Sequence, residues 1–344
     1  MFKPGSRNLI TDVDGLLVGN AEDDRLRSGV TVVLCDPSAV ASVDVRGGGP
    51  GTRETDLLDP SCLVDRIDAL CLSGGSAFGL SACDGVMRWL RERGRGMAIA
   101  DTVVPIVPGA ILFDLLNGGD KGWDWPPYRD LAYAATGKAG HDFALGNAGA
   151  GMGAKAGNLK GGLGSASAVD PRTGLQVGAL VAVNARGYTT MGGLPQFWAW
   201  ALEQQGEFGG LPPPPHTLEL AVSHRREDVV PDSAAAARHD PRGNTTIAVV
   251  ATNARLDKGA AHRIAMMAQD GLARSIRPVH TPHDGDTVFA IATGRHDIGV
   301  DPLMLGEVGT LAADCLARAV ARGVYHAASL GAVRSWKDVF AGRI

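Results

Sequence analysis

The chain has 344 residues, 45% of them hydrophobic and 20% charged, with a formal net charge of −4; these values fit a soluble globular fold with a core of ordinary size, built as one large domain or two ordinary ones. No run of Lys or Arg is dense enough to follow a phosphate backbone, so no nucleic-acid partner is expected. The opening MFKPGSRNLITDVDG lacks an apolar signal region, and the longest apolar stretches, such as VVPIVPGAILFDLL, are too short and too broken to span a bilayer; a cytoplasmic protein with no membrane partner is expected.

The five cysteines show no C-x-x-C pairing and read as small buried hydrophobes in a reducing compartment. Glycine is over-represented, at 47 residues, and it clusters in RGGGPGTRE, LSGGSAFGL, GNAGAGMGAKAGN and KGGLGSAS. Such clusters mark places where backbone approaches backbone or ligand closely.

In chain order, GVTVVLCD (29–36) and ASVDVRGG (41–48) are β-branched runs separated by PSA, which predicts a hairpin or an adjacent strand pair. DALCLSGGSAFGLSACDGVMRWLRERG starts as a strand and turns helical after Gly75. MAIADTVVPIVPGAILFDL reads as strand, loop and buried element, and GLQVGALVAVNARG (174–187) as a strand ending near Gly187. Residues 205–243 are Pro-rich, charged and aperiodic, the pattern of a flexible linker, and the four prolines read as spacer rather than docking motif. TTIAVVATNA is then a strand, AAHRIAMMAQDGLARSI an amphipathic helix stopped before Pro278, DTVFAIATG a strand and VGTLAADCLARAVARGVYHA a closing helix. Interleaved strands and long helices place the fold in the α/β or α+β layered class.

The linker runs through Asn244-Thr245 directly into an apolar strand. On its own, N-T-T is an ordinary strand start. Cleavage of the Asn244–Thr245 bond would however give Thr245 a free α-amine beside its hydroxyl. An amine with a reference pKa of about 7.7–8 is partly neutral near pH 7 and serves as a general base without a histidine. Downstream, HTPHDGDTVFA places Asp284 and Asp286 around Gly285 just before a strand. Two carboxylates in a tight loop can hold an ammonium or polarise a hydroxyl, although D-G is also a stock turn dipeptide.

Together, GNTTIAVVATNARL and HTPHDGDTVFAIATG resemble the self-processing family of the L-aminopeptidase/D-esterase (DmpA-like) and the β-aminopeptidases, which includes the 6-aminohexanoate-oligomer endo-hydrolase (nylon hydrolase) branch. VDVRGGGPGTRETDLL, LSGGSAFGL, PIVPGAILFDL, GNAGAGMGAKAG, KGGLGSAS and VAVNARG agree, so the resemblance spans nearly the whole chain. It implies an α+β fold, a four-layer αββα sandwich of N-terminal-nucleophile-like type with ornithine-acetyltransferase-like topology. It implies one domain over 1–344, self-cleaved into chains 1–244 and 245–344 that stay together, with homo-oligomers that are often tetramers. Thr245 is then the nucleophile, its new amine the base, Asp284 and Asp286 the pair that positions them, and Asn184 an oxyanion donor. The family lysine falls near Gly157-Asn158, with Lys160 taken as its counterpart and Lys155 as the alternative. A Thr nucleophile with a D-x-D pair resembles the nylon-oligomer branch. No cofactor is implied, and the partner is a small amide or peptide substrate.

Other readings are weaker. GAGMGA, with Gly149, Gly151 and Ala154, approximates a dinucleotide fingerprint but lacks the strand before and the long helix after it. His280 and His283 beside Asp284 and Asp286 would suit a metal, but Pro282 breaks any helical ligand spacing, so no metal is expected. Arg53, Glu54 and Asp56 read as a structural ion pair after a glycine turn. Within the amide-hydrolase class, oligoamide cleavage of the 6-aminohexanoate type is expected ahead of aminopeptidase action on L-, D- or β-amino-acid amides. The rivals outside it are acyl transfer of the ornithine-acetyltransferase type and an unprocessed binding protein.

Overall fold

The computed structural model describes residues 2–215, 244–297 and 299–342. Its strands are β1 (Leu16–Asp23), β2 (Ser28–Val45), β3 (Thr52–Arg53), β4 (Arg66–Ser73), β5 (Met97–Ile99), β6 (Thr102–Val104), β7 (Gly109–Ile111), β8 (Lys155–Ala156), β9 (Leu159–Lys160), β10 (Gly162–Val169), β11 (Gln176–Asn184), β12 (Thr245–Ala254) and β13 (Thr287–His296). The helices are α1 (Ala82–Arg91), α2 (Tyr128–Gly137), α3 (Lys258–Ser275), α4 (Pro302–Tyr325) and α5 (Trp336–Phe340). The main strands run in the hydrogen-bonded order β10-β11-β12-β13-β2-β4-β7-β3, with β1 paired to β2.

Three separate cores explain how this continuous ladder becomes a sandwich. Val181, Val183, Ala248, Val250, Val288 and Ala290 face α3 and α4, meeting Ile264, Ala268, Leu272, Leu316 and Val320. The alternate residues of the same strands, Leu180, Ala182, Ile247, Val249, Phe289 and Ile291, face the opposite way and meet Leu16, Val18, Val33, Leu70 and Leu72. The other side of that second set of strands, Val30, Val32, Leu34, Ala69 and Cys71, packs on α1 and α2 through Val86, Leu90, Tyr128 and Ala132. Period-two alternation on buried strands thus builds helix, sheet, sheet and helix layers around three apolar interfaces. The expected αββα sandwich is the observed architecture.

The hairpin expected at 29–48 is not formed. Both runs belong to the single 18-residue strand β2, whose pairing with β4 shifts register between Leu34 and Ala39. The PSA interruption is therefore an irregularity within a strand, not a turn. Up to Cys35 the strand pairs with β1, and from Val40 it pairs with β13, so it carries the chain between the two sheets. Of the expected linker 205–243, residues 216–243 lie outside the described residues; within 205–215, Phe208 is buried and packs edge-on against Phe197 at 5.6 Å. The expected strand and helices after the junction appear as β12, α3, β13 and α4.

Candidate active site

Strand β12 is buried along its full length and lies between β11, antiparallel, and β13, parallel. Its first residue, Thr245, pairs with Asn184 at the end of β11. One residue earlier, Asn244 bridges to Asp284 in the loop that enters β13. The sheet register therefore gathers Thr245, Asn184, Asp284 and Asp286 at one end of three neighbouring strands, although they are distant in sequence.

The peptide bond before Thr245 is held in a specific way. The Thr245 hydroxyl donates to the carbonyl oxygen of Asn244 at 2.6 Å, and the Gly285 N–H donates to that same oxygen at 3.2 Å. Gly285 has to be glycine for this approach: a Cβ there would lie 2.8 Å from Thr245 Oγ1 and 2.7 Å from the Gly49 carbonyl oxygen. The RGGG segment supports the loop from behind, with Gly49 N–H donating to the Asp284 carbonyl at 2.8 Å and Arg46 N–H to the Asp286 carbonyl at 3.0 Å. A Cβ on Gly47 would come within 2.3 Å of the Asp284 carbonyl oxygen.

The two carboxylates are differently employed. Asp286 Oδ1 accepts the Thr246 N–H at 2.9 Å, and its Oδ2 accepts the His280 N–H at 3.0 Å and meets His280 Nδ1 at 2.8 Å. Asp284 Oδ2 accepts the backbone and hydroxyl of Thr281 at 2.9 and 2.6 Å, while Oδ1 accepts the Arg186 N–H at 3.4 Å. Burial, and then the charge of Asp286, push the Asp284 carboxyl above its ordinary range, with the Thr281 bonds opposing.

Asn184 is clamped from both sides. Its Oδ1 accepts the Lys155 N–H at 2.9 Å, and its Nδ2 donates to the Phe113 carbonyl at 2.9 Å, so one of its two N–H bonds is committed. Lys160 is buried on the short β9 strand, and Gly162 pairs with Val183, which puts it at the same end of the sheet as Asn184. Its ammonium donates at 2.9 Å to the carbonyls of Gly151 and Gly161 rather than to the four residues above. Burial pulls its pKa down to about 7, against the opposing charge of Asp114.

The sequence reading leaves Asp114 out and considers His280 only as a metal ligand, whereas the structure sets His280 against Asp286. Asp114 is buried, with Oδ1 accepting the Gly75 N–H at 2.8 Å and Oδ2 the Ser28 hydroxyl at 2.6 Å. An acid inside the apolar run AILFDL was the available signal. Arg53 forms its ion pair with Asp84 of α1 at 2.6 Å rather than with Glu54 or Asp56. Among the described residues no three His, Cys, Asp or Glu side chains cluster as a metal site requires, and no helix is long and apolar enough to cross a membrane.

The family model described as peptidase family S58 matches residues 8–336. The chain belongs to that family. An uncharacterized aminopeptidase of Mycobacterium tuberculosis is 47% identical over 355 residues, covering 97% of this chain and 98% of its own. A 6-aminohexanoate-oligomer endohydrolase of Kocuria sp. is 29% identical over 315 residues, covering 87% of this chain and 78% of its own. Two solved structures share the fold: a β-aminopeptidase of Burkholderia sp., with a TM-score of 0.72, 20% identity and coverage of 99% and 95%, and the L-aminopeptidase D-Ala-esterase/amidase of Ochrobactrum anthropi, with a TM-score of 0.71, 22% identity and coverage of 98% and 94%. The latter is described as a variant of the Ntn-hydrolase fold. This S58 member is thus an Ntn-fold hydrolase of peptide or amide bonds, of aminopeptidase or amidase type.

Proposed function

We propose that the chain is a self-processing hydrolase whose nucleophile is Thr245. The carrying observation is the double hold on one carbonyl: the Thr245 hydroxyl at 2.6 Å and the Gly285 N–H at 3.2 Å both address the Asn244 oxygen. In the first reaction Thr245 Oγ1 attacks the Asn244 carbonyl carbon, and the oxygen that gains charge is the one already facing a backbone donor. Collapse transfers the acyl group from nitrogen to oxygen, and water releases chains 1–244 and 245–344. The freed amine of Thr245 then sits beside its own hydroxyl as general base. It emerges next to Asp286, which already holds the following N–H. Substrate attack repeats the chemistry in trans: an acyl ester forms on Thr245, the substrate amine leaves, and water resolves the ester. Asn184 supplies a side-chain donor to the oxyanion through the N–H it does not spend on Phe113, and Lys160, buried at the same end of the sheet, is the positive charge proposed for the site.

For the substrate, the long relative at 47% identity named an aminopeptidase supports release of N-terminal residues from short peptides, amides or esters. A second reading, cleavage of linear oligoamides of the 6-aminohexanoate type, is supported by the Thr nucleophile, the Asp284–Asp286 pair and the 29% identical endohydrolase. The processed units are further proposed to associate as a homo-oligomer, a tetramer, which light scattering would measure. The deciding experiment is intact mass and N-terminal sequencing of denatured protein. Two chains, the smaller beginning Thr-Thr-Ile, are expected, and Thr245→Ala should leave one. A single chain from the native sequence, inert toward amides after prolonged incubation, would overturn the proposal.

A further inference from the structure

His280 sits in the loop between α3 and β13 with a φ of +53°, in the left-handed region that non-glycine residues rarely occupy. That conformation turns its backbone N–H and its ring Nδ1 onto the same oxygen, Oδ2 of Asp286, at 3.0 and 2.8 Å. An ionised carboxylate only accepts, so Nδ1 carries the hydrogen in this contact. The far ring nitrogen, Nε2, is buried and has no hydrogen-bond partner among the described residues. The other oxygen of Asp286 accepts the N–H of Thr246, the residue directly after the nucleophile. The carboxylate is therefore a two-ended strut, with His280 at one end and the start of β12 at the other.

A loop that needed only tethering would be served by the backbone N–H, which already reaches Oδ2. The ring adds a second, charge-assisted bond that fixes the rotation of the carboxyl group about its Cβ–Cγ bond. That rotation decides whether Oδ1 stays aimed at Thr246 and at the place where the Thr245 amine is released. We propose that His280 is a positioning residue for the nucleophile, acting through Asp286: its Nδ1–H locks the carboxylate that holds the first stretch of backbone after Thr245 in register for both self-cleavage and turnover. The inference rests on the Thr245 reading and adds to it a residue outside the Asp-Gly-Asp loop.

The test uses the full chain and three substitutions chosen by atom position. Asparagine carries its Nδ2 on Cγ, where histidine carries Nδ1, and it tolerates a left-handed backbone. Glutamine places its amide nearer the position of Nε2. Glycine relieves the backbone and removes the ring. Two rates are read: appearance of the chain beginning at Thr245, by mass, and kcat and KM on L-alanine and β-alanine p-nitroanilides and a linear 6-aminohexanoate trimer. His280→Gly should slow both processing and kcat by about 10- to 100-fold, the rate equivalent of one hydrogen bond to a charged group, with KM little changed. His280→Asn should recover most of that loss and His280→Gln should not. If the glycine variant fails to melt cooperatively, the Asn against Gln comparison carries the test. Native rates in His280→Gly, equal rescue by Asn and Gln, or a loss confined to KM would each overturn the positioning role while leaving Thr245 in place. A native chain that neither splits nor hydrolyses any of the three probes would remove the Thr245 reading and this inference with it.

Discussion

Replacing Lys160 by Met should change how the stability of the fold depends on pH. The side chain is 1% exposed, and burial brings its pKa from 10.5 to about 7. Below about pH 7 the lysine is charged in both the folded and the unfolded chain, and the folded state carries the full cost of the buried charge. Between about 7 and 10.5 the unfolded chain still binds the proton while the folded chain has released it, so stability rises with pH across that window. The full cost is roughly 5 kcal/mol at 1.36 kcal/mol per pKa unit, and about 3 kcal/mol of it should be recovered between about pH 7 and 9.5. Lys160→Met also strips two hydrogen bonds from the carbonyls of Gly151 and Gly161, at about 1–3 kcal/mol for each acceptor left unpaired. That loss is nearly independent of pH, so it offsets the two curves without altering the shape of their difference. The assay is urea unfolding at several pH values in a Thr245→Ala background, where the proposed cut cannot occur, with coincident transitions by two probes required before stabilities are compared. Stability curves that run parallel for the chain retaining Lys160 and the chain carrying Lys160→Met, from about pH 7 to 9.5, would refute the reasoning.

Two other outcomes follow from the geometry. Gly285→Ala should slow self-cleavage by on the order of 10²-fold, since the new Cβ would lie 2.8 Å from Thr245 Oγ1 and push the N–H away from the Asn244 oxygen; mass spectrometry after a timed expression pulse measures it. Arg318→Met should cost about 1–3 kcal/mol: it removes the bonds of 2.6 and 3.0 Å to the buried Glu207 carboxylate, which keeps Asn8 Nδ2 at 2.6 Å, the Gln204 N–H at 3.2 Å and Arg322 at 3.6 Å. Glu207 and Arg318 fall on opposite sides of the proposed cut, so in processed protein the loss should appear as separation of the two chains at lower urea, read by size-exclusion chromatography.

How much of this was legible in the sequence depends on what each segment had to obey. β12, β13, α3 and α4 follow clean apolar periods because their faces meet continuous cores. β10, Gly162–Val169, reads as a glycine cluster rather than as a strand. Its small residues have low strand propensity, yet they let α4 lie directly on the backbone: a Cβ on Gly164 would stand 1.9 Å from the Ala319 carbonyl oxygen. In β2 a local turn signal lost to a register shift that only the neighbouring strands impose. Leu16–Asp23 and Tyr128–Gly137 also form elements, β1 and α2, without a pattern that announced them. In the site, Thr245 and the Asp284–Asp286 pair stand out in the chain because their chemistry is local. The His280–Asp286 contact depends on one backbone angle, and the burial of Asp114 depends on Ser28 and Gly75, so neither shows as a spacing.

The placement of the proposed cut also has a mechanical reason. A new chain end ordinarily frays, since terminal residues lack the ladder bonds that hold a strand interior. Thr245 escapes this because β12 is an inner strand: Asn184 on β11 pairs with it directly, and the loop before β13 reaches it through the Asp286 bond to Thr246. Cutting before Thr245 would release residues on the Asn244 side while the proposed nucleophile stays paired with Asn184. Thr246, one residue further along, lies inside the ladder opposite Val183, and its N–H is already held by Asp286. One residue earlier, the amine would sit at Asn244, ahead of the β11 ladder and bridged to Asp284 in the loop before β13. A cut at this junction would bring a free amine, the Thr245 hydroxyl and the Asn244 carbonyl together at one end of β11, β12 and β13.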